Sequence, residues 1–204
     1  MTLSEFDNEI RKDHNVVCGC DEAGRGPLAG DVFAAAVIFD KDTVIEGIND
    51  SKKLTVKKRE ELFDEIMEKA VDFSIQTATV EEIEDINILN AAMLAMKRAV
   101  EDMDTKPDVC LIDGNKTPEG LECPAIAVVK GDAKSQAVAA ASILAKVARD
   151  RYMEQMAELY PEYRFEKHKG YGTKLHYEMI DQYGPCEIHR MSFLKKYYAK
   201  KNGH

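Results

Sequence analysis

Apolar and polar positions recur along this chain with periods that mark out its elements. Val16 to Cys20 and Val32 to Phe39 are apolar runs of strand length, and the Gly- and Pro-rich stretch between them predicts a connecting loop. From Thr55 to Ala70 the period changes: Leu62, Phe63, Ile66 and Met67 form one stripe among lysines and glutamates, which predicts a helix. Phe73 to Thr79 alternates as a third strand. Thr79 with Glu82 then predicts a capping box opening a further helical segment, continued by Asn90 to Met103. Val109 to Ile112 and Ala125 to Val129 read as short strands, and Ser135 to Tyr160 as a long helix rich in alanine, able to lie close to its neighbour. Strands in a meander, followed by strands alternating with helices, predict an α/β protein with a mixed sheet and helices on its faces. No repeat, low-complexity tract or linker longer than a turn interrupts the pattern, so one folding unit is expected.

Acids stand where this pattern ends its strands. Asp21 and Glu22 follow the first strand, Asp113 follows Val-Cys-Leu-Ile, and Asp132 follows Ala-Val-Val-Lys-Gly. Open α/β sheets place function at strand ends of this kind. Two carboxylates about 4 Å apart repel by roughly 4 kcal/mol at an effective dielectric near 20. A folded protein that packs them together needs a proton or a hard divalent cation between them. If the first and fourth strands are parallel neighbours, Asp21 and Asp113 sit side by side. Period-two alternation sends Glu22 to the other face, so it joins that site only if the strand ends or bends, which Gly24 and Gly26 would allow. Taken alone, Asp113-Gly is an ordinary turn sequence; beside Asp21-Glu22 that reading weakens. Gly24-Arg-Gly-Pro-Leu-Ala-Gly30, with Asp40 after the second strand, also resembles a dinucleotide-binding fingerprint. That motif needs a helix after its glycines, and here Val-Phe-Ala-Ala-Ala-Val-Ile-Phe follows, which reads as a strand.

Composition narrows the setting. The chain has 204 residues, 45% of them hydrophobic, enough for a real core. No apolar run approaches the ~18 residues of a membrane helix, and the N-terminus lacks a basic segment followed by an apolar one, so a cytosolic protein without membrane attachment is expected. Cys18, Cys20, Cys110, Cys123 and Cys186 form an odd set without a Cys-x-x-Cys pair, which predicts reduced thiols. The spacing of His168, His176 and His189 matches no common zinc motif. Net charge is −9, which argues against a nucleic-acid partner, but the charge is uneven. Residues 1–129 carry 14 basic and 28 acidic side chains, whereas residues 130–204 carry 14 and nine. A polyanion can therefore lie across the last third while an acidic site elsewhere holds metal ions.

Several blocks then coincide. Asp21-Glu-Ala-Gly-Arg-Gly-Pro27, Asn49-Asp-Ser-Lys-Lys-Leu54, Leu111-Ile-Asp-Gly114, Lys130-Gly-Asp132, Ala139 to Asp150, His168-Lys-Gly-Tyr-Gly-Thr173 and His189-Arg-Met-Ser-Phe193 resemble, in order and spacing, the ribonuclease HII family. The likeness covers residues 16 to 194. The sister family ribonuclease HIII carries an extra N-terminal domain, and about fifteen residues precede the first strand here. The resemblance implies an RNase H-like, mixed five-stranded sheet flanked by helices in a single catalytic domain, with a core about 14–160 and a helical extension about 161–204. It implies hydrolysis of the RNA strand of RNA/DNA hybrids and incision of duplex DNA 5′ of a single embedded ribonucleotide, leaving a 3′-hydroxyl and a 5′-phosphate. The corresponding roles would be removal of ribonucleotides from DNA and of RNA primers. It implies two Mg²⁺ or Mn²⁺ ions held by Asp21, Glu22, Asp113 and Asp132, a task for which carboxylates suit and thiols do not. It implies that Gly24, Arg25, Gly26 and Tyr171 read the 2′-hydroxyl, and it leaves Lys52, Lys53, Lys146 and Arg149 as candidate phosphate contacts. No protein partner is implied: the segment Ser192 to Lys200 lacks the glutamine-led pattern of a sliding-clamp peptide, and a monomer is expected. Two other classes are weaker. A binding module of the same fold would be expected to lose an acid, and a DNA nuclease or resolvase would lack the 2′-hydroxyl reader.

Overall fold

A computed structural model describes residues 1–49 and 51–202, with Lys52 and Asn202 described in backbone only. Five strands form one sheet: β1 (Val17–Ala23), β2 (Val32–Ile38), β3 (Asp72–Ala78), β4 (Val109–Asp113) and β5 (Ala125–Val128), in the spatial order β3-β2-β1-β4-β5. The first three make an antiparallel meander, and β4 and β5 add in parallel beside β1. This is the mixed sheet expected from the pattern, with β1 and β4 as parallel neighbours. Parallel pairing needs crossovers. The one from β3 to β4 is α3 (Val80–Glu101), introduced by the predicted Thr79–Glu82 capping box. Inside α3, Asn87 takes φ 66°, and its Oδ1 accepts the N–H groups of Leu89 and Asn90. The side chain re-caps the second half of the helix, which is why the pattern shows two helical segments.

Two helices appear before these: α1 (Leu3–Ile10) at the start and α2 (Val56–Lys69) after β2. The sequence reading misses α1. It is opened by a Thr2–Glu5 capping box, and its buried Asp7 accepts the Ala137 N–H at the head of α4 (Gln136–Leu159). The alternation of β1 and β2 divides the core. Cys18, Cys20, Ala34 and Ala36 face α3, while Ala35 and Val37 face α2 and the alanines of α4. Three further α-helices follow among the described residues: α5 (Phe165–His168), α6 (Lys174–Tyr183) and α7 (Met191–Asn202). Among the described residues no helix is long and apolar enough to cross a membrane.

Candidate active site

The parallel ladder between β1 and β4 ends at Cys20 beside Ile112. Asp21 and Asp113 are the next residues on two strands that run about 4.8 Å apart. Their odd-numbered neighbours Val17, Val109 and Leu111 pack with Val138 of α4, so alternation puts both acids on the α4 face. Asp21 is buried, and its carboxyl is held well above the usual carboxylate range, first by burial, then by the charges of Glu22 and Asp113. A hydrogen bond from Ser142 and the Glu22 N–H at 2.7 Å pull the other way. Ser142 in turn lies 2.9 Å from the hydroxyl of buried Ser51, which anchors the 3₁₀ turn Ser51–Lys53 to α4.

Asp113 Oδ1 accepts the Gly131 N–H at 2.6 Å, tying the end of β4 to the 3₁₀ turn Gly131–Ala133 that carries half-buried Asp132. Glu22 corrects the expectation of a strand ending at Cys20. The antiparallel ladder with β2 runs unbroken through Glu22 and Ala34 to Ala23 and Phe33, so the strand does not end at Cys20 and alternation starts Glu22 from the α3 face. Its carboxylate accepts Arg25 at 3.2 Å. The structure thus pairs Asp21 with Asp113, while Glu22 and Asp132 approach from adjoining positions. Among the described residues no group of three or more His, Cys, Asp or Glu side chains converges as a metal cage. The donor chemistry nevertheless fits a hard divalent cation. It is oxygen-only, and the mutual repulsion that raises the proton affinity of Asp21 is what a bound cation relieves.

Beside the acids, a second element is assembled from residues distant in sequence. Gly24 sits at φ +104°, and a Cβ there would meet Arg149 Nε at 2.2 Å, so both backbone angle and space require glycine. Arg25 and Gly26 are exposed, and a Cβ on Gly26 would stand 3.7 Å from the Tyr171 ring. Tyr171 is 43% exposed, a high value for an aromatic ring in this chain. Lys146 Nζ and the Arg149 guanidinium lie 6.0 and 5.9 Å from its centroid. The structure therefore brings Gly24, Gly26 and Tyr171 together.

The candidate phosphate contacts fare differently. Arg149 is fully buried; its guanidinium donates to the carbonyls of Ala29, Asp31 and Lys169. It staples the Gly24–Asp31 loop to the Tyr171 turn and does not reach outward to phosphate. Its place on the α4 stripe Ser142, Ala145, Arg149, Met153 is the sequence signal for that burial. Lys146 is paired with Asp150 at 2.6 Å, Lys53 is exposed, and the Lys52 side chain lies outside the described residues.

Arg190, missed from sequence, is also fully buried. It donates to the carbonyls of Gly24, Arg25, Pro27 and Gly30, the last from both Nε and Nη2. Burial first, then the neighbouring charge of Arg149, lowers its pKa to about 9. The three histidines His168, His176 and His189 are buried together, and their ring nitrogens are bonded to backbone groups and to one another. His176 and His189 are held down to about 4, chiefly by burial.

Comparison with known proteins gives a consistent result. The family model described as ribonuclease HII matches residues 18–196. A ribonuclease HII of Caldicellulosiruptor saccharolyticus is 56% identical over 189 residues, covering 93% of this chain and 92% of the relative. The crystal structure of the ribonuclease H2 from Pyrococcus horikoshii aligns with a TM-score of 0.72 at 30% identity, over 87% of this chain and 93% of that one. A Bst-RNase HIII solved in complex with Mn²⁺ shares the fold, with a TM-score of 0.66 at 18% identity over 83% of this chain and 63% of that one.

Proposed function

Because the chain belongs to the ribonuclease HII family, and so is a metal-dependent endoribonuclease degrading the RNA of RNA/DNA hybrids, we propose that it also incises duplex DNA 5′ of a single embedded ribonucleotide. The observation that carries this reading is the Tyr171 ring standing against exposed Gly26, on a loop that follows directly from Asp21 and Glu22. A lone ribonucleotide differs from its neighbours by one 2′-hydroxyl. A glycine loop lets backbone groups approach that sugar, and an exposed tyrosine ring can pack against the next deoxyribose. Gly24, Arg25, Gly26 and Tyr171 form this reader, with Lys146 as an adjoining cation and Lys53 as a further candidate phosphate contact.

Asp21, Glu22, Asp113 and Asp132 are the residues that would hold divalent cations, Mg²⁺ or Mn²⁺. When bound, such ions lower the pKa of water and neutralise charge at the departing 3′-oxygen. The chain itself contributes the paired carboxylates, a Ser142 hydroxyl on Asp21, and a reader fixed beside them. The products would be a 3′-hydroxyl and a 5′-phosphate, and the cellular tasks removal of ribonucleotides from DNA and of RNA primers in the cytoplasm.

A labelled DNA duplex with one ribonucleotide tests this, against an all-DNA duplex and the variants Asp113→Asn and Tyr171→Ala. Metal-dependent cutting 5′ of the ribonucleotide is expected from the parent protein and should be much reduced in Tyr171→Ala, and the all-DNA duplex stays whole. Asp113→Asn should lose on the order of a thousandfold or more in rate, as for removal of a group that stabilises transition-state charge. Cutting of the all-DNA duplex at a comparable rate would replace the reading with that of a general DNA nuclease.

A further inference from the structure

Resting on that reading of Tyr171, we infer that His176 and His189 are positioning residues for substrate selection, forming a directed hydrogen-bond relay that fixes the Tyr171 turn. The geometry admits one proton arrangement. The Cys186 N–H donates to His189 Nδ1 at 2.9 Å, with the Cys186 sulfur 3.1 Å from the same nitrogen, so that nitrogen is bare. Neutral His189 then carries its proton on Nε2, 3.0 Å from His176 Nε2, and donates it there. His176 Nε2 is bare in turn, and its proton on Nδ1 is donated to the Tyr171 carbonyl at 3.0 Å. His168, stacked on His176 with centroids 4.3 Å apart, works at the same turn. Its Nδ1 accepts the Gly170 N–H at 3.2 Å, and its Nε2 donates to the Tyr163 carbonyl at 3.0 Å.

The result is a turn in which every peptide group is held. The Lys169 N–H bonds to Phe165 and its carbonyl takes Arg149. The Gly170 carbonyl accepts the Leu28 N–H, and the Tyr171 N–H bonds to the His168 carbonyl. Lys169 at φ 49° and Gly170 at φ 83° form a left-handed pair, which costs energy for lysine and persists because its surroundings over-determine it. A Cβ on Gly170 would stand 2.6 Å from the Ala29 carbonyl, so the turn is seated directly on the Gly24–Asp31 loop. What the pinned backbone leaves exposed is the ring of Tyr171. A second proton on His176 would place two donors face to face across the Nε2 pair, and one on His189 would set an Nδ1–H against the Cys186 N–H; both rings are held neutral by burial near pH 7.

Two measurements test the relay. Long-range ¹H–¹⁵N spectra of histidine-labelled protein at pH 7 should show His176 as the Nδ1–H tautomer and His168 and His189 as Nε2–H. An Nε2–H His176 would overturn the relay without any variant being made. The second measurement is cleavage of the lone-ribonucleotide duplex relative to a continuous RNA/DNA hybrid. His176→Leu should depress that ratio by on the order of tenfold or more, the scale of a misplaced recognition group. His176→Asn, whose amide N–H stands where Nδ1–H stood, should restore most of it. In a Tyr171→Ala background the His176 substitutions should leave the ratio unchanged, because they act through that residue. Equal loss on both substrates in His176→Leu, with the parent discriminating normally, would reduce His176 to a core residue and overturn the positioning role alone. A parent that spared the lone ribonucleotide would overturn the underlying reading, and this inference with it.

Discussion

Gly26 faces Tyr171: a Cβ added to the glycine would stand 3.7 Å from Cε1 of the ring, an ordinary contact distance. The neighbouring glycine is held on quite different terms. Gly24 has φ +104° and space for nothing but hydrogen, since Arg149 Nε and Cδ lie 2.2 and 2.5 Å from its Cβ position. The two glycines of one short loop therefore answer to different demands.

Gly26→Ala should leave the melting temperature within about 2 °C of the parent while lowering cleavage at a lone ribonucleotide, because its methyl group fits the protein but intrudes on an approaching sugar. Gly24→Ala should cost roughly 2–4 kcal/mol from backbone strain and displacement of Arg149. Thermal melts beside cleavage assays separate the two; equal melting losses would show that Gly26 is also a packing glycine.

Arg190→Lys keeps the charge and removes the planar fork that reaches four carbonyls. A loss of about 3 kcal/mol is expected, because buried carbonyls are left without donors. For a chain of this size that lowers the melting temperature by roughly 6–12 °C. Cleavage at a lone ribonucleotide should fall further than hybrid cleavage. A melting temperature unchanged by the substitution would mean that water replaces the guanidinium.

Acid should weaken the fold through the histidines. His176 and His189 ionise at about 4 in the folded protein against an ordinary 6.5. Between those values the unfolded chain binds more protons, so stability rises with pH there. The contribution is complete above pH 6.5 and is lost as pH falls toward 4, at up to about 1.4 kcal/mol per pH unit for each group. The raised carboxyl of Asp21 acts in the opposite sense as pH falls, so the parent is best compared with His176→Asn, whose urea-unfolding profile should be flatter over this range. Superimposable profiles would show that these rings titrate normally.

The sheet was legible because its signals are local. Period-two runs, the Thr79–Glu82 box and the alanines of α4 each specify their own element, while the parallel pairing of β1 with β4 stood in the sequence only as a condition and is supplied by the structure. The extension of β1 to Ala23 was hidden, because a partner strand and not the residues themselves keeps Asp21 to Ala23 extended. A local signal was present for α1, since Thr2 and Glu5 have capping-box spacing. In the candidate site, Asp21 lies beside Asp113 at the end of the parallel ladder, and Gly26 lies beside Tyr171. Arg149 illustrates the opposite case. A charged residue on a helix reads as a solvated one; its place on the buried α4 stripe points inward, but the carbonyls that satisfy its guanidinium belong to distant loops. Arg190 and the histidine relay depend on pairings more than a hundred residues apart, or on ring orientation, which periodicity does not carry.

The Arg190 clasp joins residue 190 to Gly24, 166 positions earlier. A chain emerging from the ribosome at roughly 5–20 residues per second has made its strands and its acidic pair long before that guanidinium exists. The loop that follows Asp21 is thus the part of the site closed last, by a residue made after all five strands. A chain ending before residue 190 would carry the acids but leave the carbonyls of Gly24, Arg25, Pro27 and Gly30 without this donor.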